Sequence, residues 1–176
     1  EIAFILDNSG SRCCVATPDL MEAVGPLVDD VPGLERVVST GAGEYRALRA
    51  GDPAPLAGRA ADDAAWLFYT SGTTGRPKGA MLSHRNLQAM MLSYFADVDA
   101  ISGEDCILHA APMSHGSGLY IMPHMAMAAK QVIPESGGFD PEEICRLFPA
   151  HKGMTFFAAP TMVTRLIHSP ALGAAD

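Results

Sequence analysis

Apolar runs and helical patterns alternate along almost the whole chain. Ile2, Ala3, Ile5 and Leu6 recur at helical spacing up to the breaker Asn8-Ser9-Gly10, after which Cys13-Cys14-Val15-Ala16 has the pattern of a short buried strand. Thr17 precedes Pro18 as cap and first helical residue, and Leu34 to Ser39 forms a second strand pattern. Residues 41–63 are Gly, Ala, Pro and charge without periodicity, the composition of a surface connection. Ala65-Trp66-Leu67-Phe68-Tyr69-Thr70 is the strongest strand pattern in the sequence; a Gly-rich loop, a short strand Ala80-Met81-Leu82 and a helix capped by Ser83 and running to about Ala96 follow.

Beyond it, Cys106 to Ala111 reads as strand and Pro112 to Gly118 as loop. Gly118 to Ala129 is apolar on all sides, which predicts a buried helix that must accommodate Pro123. Asp140-Pro141-Glu142-Glu143 supplies a cap, a first-position Pro and a capping-box Glu for a helix to about Pro149. Met154 to Ala158 is a strand, and Pro160 opens a last helix through Ile167. Alternation of this kind predicts an α/β architecture, a mostly parallel β-sheet packed with helices. No internal repeat or low-complexity segment interrupts it.

Composition sharpens the picture in three places. With 48% hydrophobic residues and 176 residues in all, the chain can bury a core without disulfides or metals. The net charge is −8, yet from Ala64 to Ala96 there is no Asp or Glu while Arg76, Lys78 and Arg85 are all positive. An acid-free basic stretch in an acidic chain points to a local anion site, and the overall balance argues against nucleic-acid binding. Cys13, Cys14, Cys106 and Cys145 have no CxxC pairing, and His84, His109, His115, His124, His151 and His168 form no HExxH pattern, so no metal ligand is assigned. No apolar run has the length of a membrane helix and the first residues lack a basic lead, from which a cytoplasmic protein is expected.

The acid-free window centres on Tyr69-Thr70-Ser71-Gly72-Thr73-Thr74-Gly75-Arg76-Pro77-Lys78-Gly79. Glycines let backbone N–H groups turn toward one oxyanion, the hydroxyls of Ser71, Thr73 and Thr74 add donors, and Lys78 adds a full charge, which together suit phosphate. It is not a Walker A loop, since Pro77 precedes Lys78, Gly79 follows it and the flanks are strands.

The run from Leu67 to Gly79, continued by Ala80-Met81-Leu82-Ser83-His84-Arg85-Asn86-Leu87, closely resembles the signature of the adenylate-forming (AMP-binding) enzymes, which include acyl-CoA synthetases, luciferases and peptide-synthetase adenylation domains. The resemblance implies that Thr70, Ser71, Gly72, Thr73, Thr74 and Gly75 hold the outer phosphates of ATP, with Lys78 as supporting charge. His84 is expected to order the helix start and Arg85 to be a surface cation, rather than to touch ligand. Ala111-Pro112-Met113-Ser114-His115-Gly116-Ser117-Gly118-Leu119-Tyr120 resembles the family segment that lines the carboxylate pocket, with His115 at the gate position, Gly116 and Gly118 leaving room beside it, and Tyr120 near the acyl group. A structural loop His is the other reading of His115, and core packing is the other reading of Tyr120, Met122, Met125 and Met127. Phe156-Phe157-Ala158-Ala159-Pro160-Thr161-Met162 resembles the corner bordering the same pocket and reads equally well as core.

The reaction so implied is that of an acyl-CoA synthetase. A carboxylate, here expected to be a fatty acid, attacks the α-phosphorus of ATP to give acyl-AMP and pyrophosphate, and the thiol of coenzyme A then displaces AMP, with Mg²⁺ beside the phosphates. The family's metal-binding Glu, adenine segment, ribose-binding Asp and small C-terminal domain have no counterpart in the 176 residues. The chain is therefore expected to be a partial N-terminal domain, inactive alone, divided into 1–63, a phosphate-loop segment 64–96 and pocket-lining elements 97–176. Pro112-Met113-Ser114-His115-Gly116 looks more like the CoA ligases than the peptide synthetases, and the excess of Arg over Lys fits a GC-rich bacterial source. Two other classes stay open: an ATP phosphotransferase or NTPase with an unusual phosphate loop, which would hydrolyse ATP without a carboxylate, and a non-catalytic nucleotide-binding fragment.

Overall fold

The computed structural model describes residues 1–70 and 75–174, which form two compact units, Glu1–Met81 and Leu82–Asp176. The first opens with helix α1 (Ile2–Asn8) and strand β1 (Cys13–Ala16). A short 3₁₀ turn, Pro18–Leu20, leads into the one-turn helices α2 (Met21–Val24) and α3 (Leu27–Asp30), then strand β2 (Arg36–Ser39) and helix α4 (Gly43–Ala50). β1 and β2 pair in parallel, Cys13 opposite Arg36 and Ala16 opposite Ser39. Their core is small: Leu6, Val31 and Leu34 are buried together, with Cys14 and Val37 packed against them.

α4 lies in the stretch expected to be a featureless connection, and that expectation is corrected. Glu44 to Ala50 are good helix formers, Glu44 pairs with Arg36 at 3.4 Å, and Gly51-Asp52-Pro53 stops the helix. The helix is short and polar on average, with only Tyr45 and Leu48 as large apolar residues, and none of its residues is buried, so its one-turn apolar spacing is too brief a signal in sequence. The unit ends in a two-stranded ribbon of β3 (Ala64–Thr70) and β4 (Lys78–Ser83), the latter starting two residues before its sequence pattern does.

The second unit begins with α5 (His84–Asp97). Ser83 caps it in a reciprocal box, its hydroxyl accepting from Asn86 N–H at 3.2 Å and its own N–H donating to Asn86 Oδ1 at 3.0 Å. Strand β5 (Cys106–Leu108) is followed by α6 (Gly116–Leu119), α7 (Ile121–Ala126), β6 (Lys130–Val132), α8 (Pro141–Leu147), β7 (Met154–Thr155) and α9 (Pro160–Ile167). β5 is the centre of a three-stranded parallel sheet, with β6 on one side and β7 on the other. Parallel neighbours require crossovers, and α6 and α7 supply one while α8 supplies the other. Ile107, Leu108 and Ile144 are fully buried, and Leu166 of α9 packs in one cluster with Leu108 and Ile144.

Several expectations change here. The single helix over Gly118–Ala129 is two: Pro123 has no N–H to offer Leu119, four residues back, so the helix breaks at Tyr120. It then ends early, with Ala128 at φ 55° and Ala129 N–H returning to His124 O at 2.8 Å, a closure that a glycine usually makes. Lys130–Val132, unassigned in sequence, is a strand because it completes the ladder on β5, while β5 and β7 are shorter than the runs Cys106–Ala111 and Met154–Ala158. Glu143 does not close a capping box. Asp140 caps α8 by accepting from Glu142 N–H at 3.0 Å, and the Glu143 carboxylate turns to the preceding loop, accepting from Glu135 N–H at 2.6 Å and Ser136 N–H at 3.3 Å.

Hydrogen bonding from Ser136 and Glu135 holds the Glu143 carboxyl below the ordinary carboxylate range, against the burial that pushes it up. A lowered folded pKa contributes stability above the unfolded value, and that contribution is lost as pH falls through the folded one. Urea midpoints between pH 7 and pH 3 should therefore fall for the wild type below about pH 4.3, and Glu143→Gln should flatten that fall. Ile144→Ala, at a site with no exposed surface, should cost about 2–5 kcal/mol in the same unfolding measurement, the usual range for emptying a core position.

Candidate functional site

Thr70 ends β3 and Lys78 begins β4, so the predicted phosphate loop connects two paired strands. Ser71, Gly72, Thr73 and Thr74 lie outside the described residues. Gly75 has φ 81°, a left-handed backbone in which a side chain would be strained. Thr70, Gly75, Arg76 and Lys78 are exposed and Pro77 is half-buried. An open cavity of about 570 Å³ borders this part of the loop, with Phe4, Gly75, Arg76 and Pro77 in its wall.

The strand ends are held by a residue to which the sequence assigned no anchoring role. Tyr69 donates from Oη to Asn8 Oδ1 at 2.8 Å, fixing the end of β3 to the end of α1. Its ring covers Gly79, where a Cβ would sit 3.0 Å from the ring carbon Cζ. Gly79 is therefore glycine for packing against Tyr69, one residue beyond Lys78. Trp66 and Phe68, on the alternate face of β3, stack with centroids 4.8 Å apart. His84 and Arg85 are the first two residues of α5 and both are exposed.

The predicted carboxylate-site residues lie in the second unit, around the turn into α6. Pro112 to His115 are exposed, and Ser117 and Gly118 are buried. His115 N–H donates to Pro112 O at 3.0 Å and its carbonyl accepts from Gly118 N–H at 2.9 Å, which folds the segment back on itself. The His115 ring makes no side-chain hydrogen bond among the described residues. The room expected beside it is taken on one side: a Cβ on Gly116 would meet the Phe157 ring at 2.8 Å. Gly116 is small because Phe157 lies against it.

Tyr120 stands edge-on to Phe157, centroids 5.6 Å apart, and edge-on to Tyr94 of α5 at 5.1 Å. Tyr94 in turn meets the His124 ring at 5.8 Å. The structure thus brings Gly116 and Tyr120 together on Phe157 and joins them to Tyr94, which no local motif had singled out. His124 is buried, its Nδ1 2.8 Å from Tyr120 O and its Nε2 3.3 Å from Thr155 Oγ1. Burial lowers its pKa, against the backbone bond from Tyr120 that raises it. His109, which sequence left as one histidine among six, is buried between Ser117 and Gln131. These partners lie 8 and 22 residues away, so only the sheet and the loop it carries bring them together.

The profile of the AMP-binding enzyme family matches residues 1–176. A feruloyl-CoA synthase of an Amycolatopsis species is 31% identical over all of the chain, which covers 34% of that protein. The human mitochondrial malonate–CoA ligase is 30% identical over 95% of the chain, which spans 29% of it. Among solved structures, ATP-bound MatB from Rhodopseudomonas palustris superposes with a TM-score of 0.80 at 30% identity, over 98% of this chain and 34% of that one. The chain therefore spans about a third of the length of the relatives it matches. Its mixed α/β fold with parallel strands is the fold of those enzymes, and the chain belongs to the AMP-binding enzyme family.

Proposed function

We propose that the chain is the front portion of an ATP-dependent carboxylate–CoA ligase that activates a fatty acid as acyl-AMP, releases pyrophosphate and passes the acyl group to coenzyme A. The observation that carries this reading is the glycine- and hydroxyl-rich segment slung between β3 and β4 with Lys78 at its exit, inside a window free of carboxylates. Thr70, Ser71, Gly72, Thr73, Thr74 and Gly75 would bind the departing phosphates through N–H and hydroxyl groups, and Lys78 would offset charge building on the leaving oxygens. The substrate carboxylate is ionised at neutral pH and is itself the nucleophile, so no general base is required of His115.

His115, Gly116, Gly118 and Tyr120 are proposed to border the acyl group. The exposed ring of His115, without a side-chain hydrogen bond among the described residues, and the aromatic run Phe157–Tyr120–Tyr94 that begins against the neighbouring Gly116 support this. Relatives named for feruloyl, malonate and long-chain fatty acid substrates share the family, and the apolar run favours a fatty acid over a dicarboxylate. Mg²⁺ would accompany ATP. No three His, Cys, Asp or Glu side chains converge among the described residues, so none is assigned to it and no step is routed through it. Adenine, ribose and metal contacts are proposed to come from outside the 176 residues, in agreement with the greater length of the relatives. No helix among the described residues is long and apolar enough to cross a membrane, and a cytoplasmic setting is part of the proposal.

The full-length protein should exchange labelled pyrophosphate into ATP only when a carboxylic acid is present, and Lys78→Ala should lower that rate by about 10²-fold, the usual effect of removing one donor to a developing oxyanion. Carboxylate-independent release of phosphate from ATP would instead identify an NTPase. Gly116→Ala should push the Phe157 ring away and raise the KM for fatty acid with little effect on the KM for ATP; adding Phe157→Ala should recover most of the loss, since it removes the ring that the new methyl strikes.

A further inference from the structure

His109 follows the central strand β5 by one residue and is used by nothing described above. It is 3% exposed, Ser117 is 0% exposed, and the ring joins two elements: Nδ1 lies 2.8 Å from Ser117 Oγ and Nε2 lies 2.8 Å from Gln131 Oε1 on β6. An amide oxygen only accepts, so the ring donates from Nε2 to Gln131, and Nδ1 and the Ser117 hydroxyl share the second bond. The backbone of His109 is itself pinned, its N–H donating to Val132 O at 2.8 Å. The ring is thus a strut from the sheet to the turn into α6.

Among the described residues, that strut is the one side-chain hydrogen bond from Pro112–Gly118 to the rest of the unit. Gly116 against Phe157 is a packing contact that fixes distance but not direction, and the Tyr120 N–H that reaches Ser117 O at 3.2 Å ties the segment only to the next turn of chain. Two buried polar side chains, His109 and Ser117, bonded to the half-buried Gln131 are costly to desolvate, and apolar residues of the same volume could pack there without that cost. What the bonds add is a fixed position for Ser117, two residues from His115 and next to Gly116.

We propose that His109 is a positioning residue for the carboxylate site: by holding Ser117 to the sheet, it sets where His115 and Gly116 stand against the acyl group. This rests on the ligase reading given above. It calls for two measurements on the full-length protein, one of which needs no substrate. In Ser117→Ala, hydrogen exchange in the segment 112–118 should quicken by about tenfold, the equivalent of one ordinary hydrogen bond, while segments of β1 and β2 exchange as before. The KM for the carboxylate should rise by about the same factor, with the KM for ATP within about twofold. His109→Leu should do the same, and the double variant should lose no more than the worse single one, because both cut one link. Unchanged exchange in 112–118, a carboxylate KM that moves no further than the ATP KM, or additive losses would each overturn the proposal. A wild type with no carboxylate-dependent pyrophosphate exchange would sink the ligase reading instead, and the exchange measurement would still decide whether the strut holds the turn.

Discussion

Everything between Leu82 and Ala174 is arranged around the burial of one three-residue strand. Cys106, Ile107 and Leu108 expose almost nothing, because β6 and β7 take their backbone groups on both edges and helices cover their faces. A parallel sheet demands such covering, since its crossovers have to run over the faces. Burial here forces the chain to leave β5 through a loop at its C-terminal end, where the candidate carboxylate-site residues Pro112 to Tyr120 lie. The same burial raises the Cys106 thiol pKa through desolvation, which leaves it a small apolar filler. The loop's shape then depends on a few fixed points: the Ser117 hydroxyl on His109, Gly116 against Phe157, and the break that Pro123 imposes after Tyr120.

The proposed phosphate loop is under a different constraint. A loop between two strands has no helix dipole to offer an anion, so it relies on backbone N–H groups, hydroxyls and one cation. Fixed ends limit the conformational freedom that such a loop would lose on binding an anion. Tyr69 supplies rigidity at the β3 end by reaching Asn8, and Gly79 allows β4 to approach that ring closely. The glycines around the loop therefore do two jobs: Gly75 supplies a backbone conformation, and Gly79 supplies space.

Elements whose cause is local were legible in the sequence. The Ser83 cap, the Asp140 cap with Pro141, the aromatic β3 and the glycine-rich segment each rest on neighbours within four residues, and the first three stand where expected. The motif proposed to bind phosphate was legible because its residues are contiguous. What stayed hidden is set by partners far along the chain. β6 is three residues long and exists as a strand only through its pairing with β5, and α4 has no buried residue to betray it. Glu143, spaced for a capping box, is won by the loop N–H groups of Glu135 and Ser136, whose position depends on how that loop folds back over α8. The strut through His109 joins positions 109, 117 and 131, a spacing with no helical or strand period, and Phe157 fills the room that Gly116 had left open in sequence.

The fold and family set a frame in which the chemistry proposed for Thr70 to Lys78 has one distinguishing product. The direct measurement is mass spectrometry of the full-length protein incubated with ATP, Mg²⁺ and a fatty acid in the absence of coenzyme A. A ligase of the proposed kind yields acyl-AMP and pyrophosphate in equal amounts, the acyl oxygen bonded to the α-phosphorus. ADP and inorganic phosphate, formed with or without the fatty acid, would contradict it.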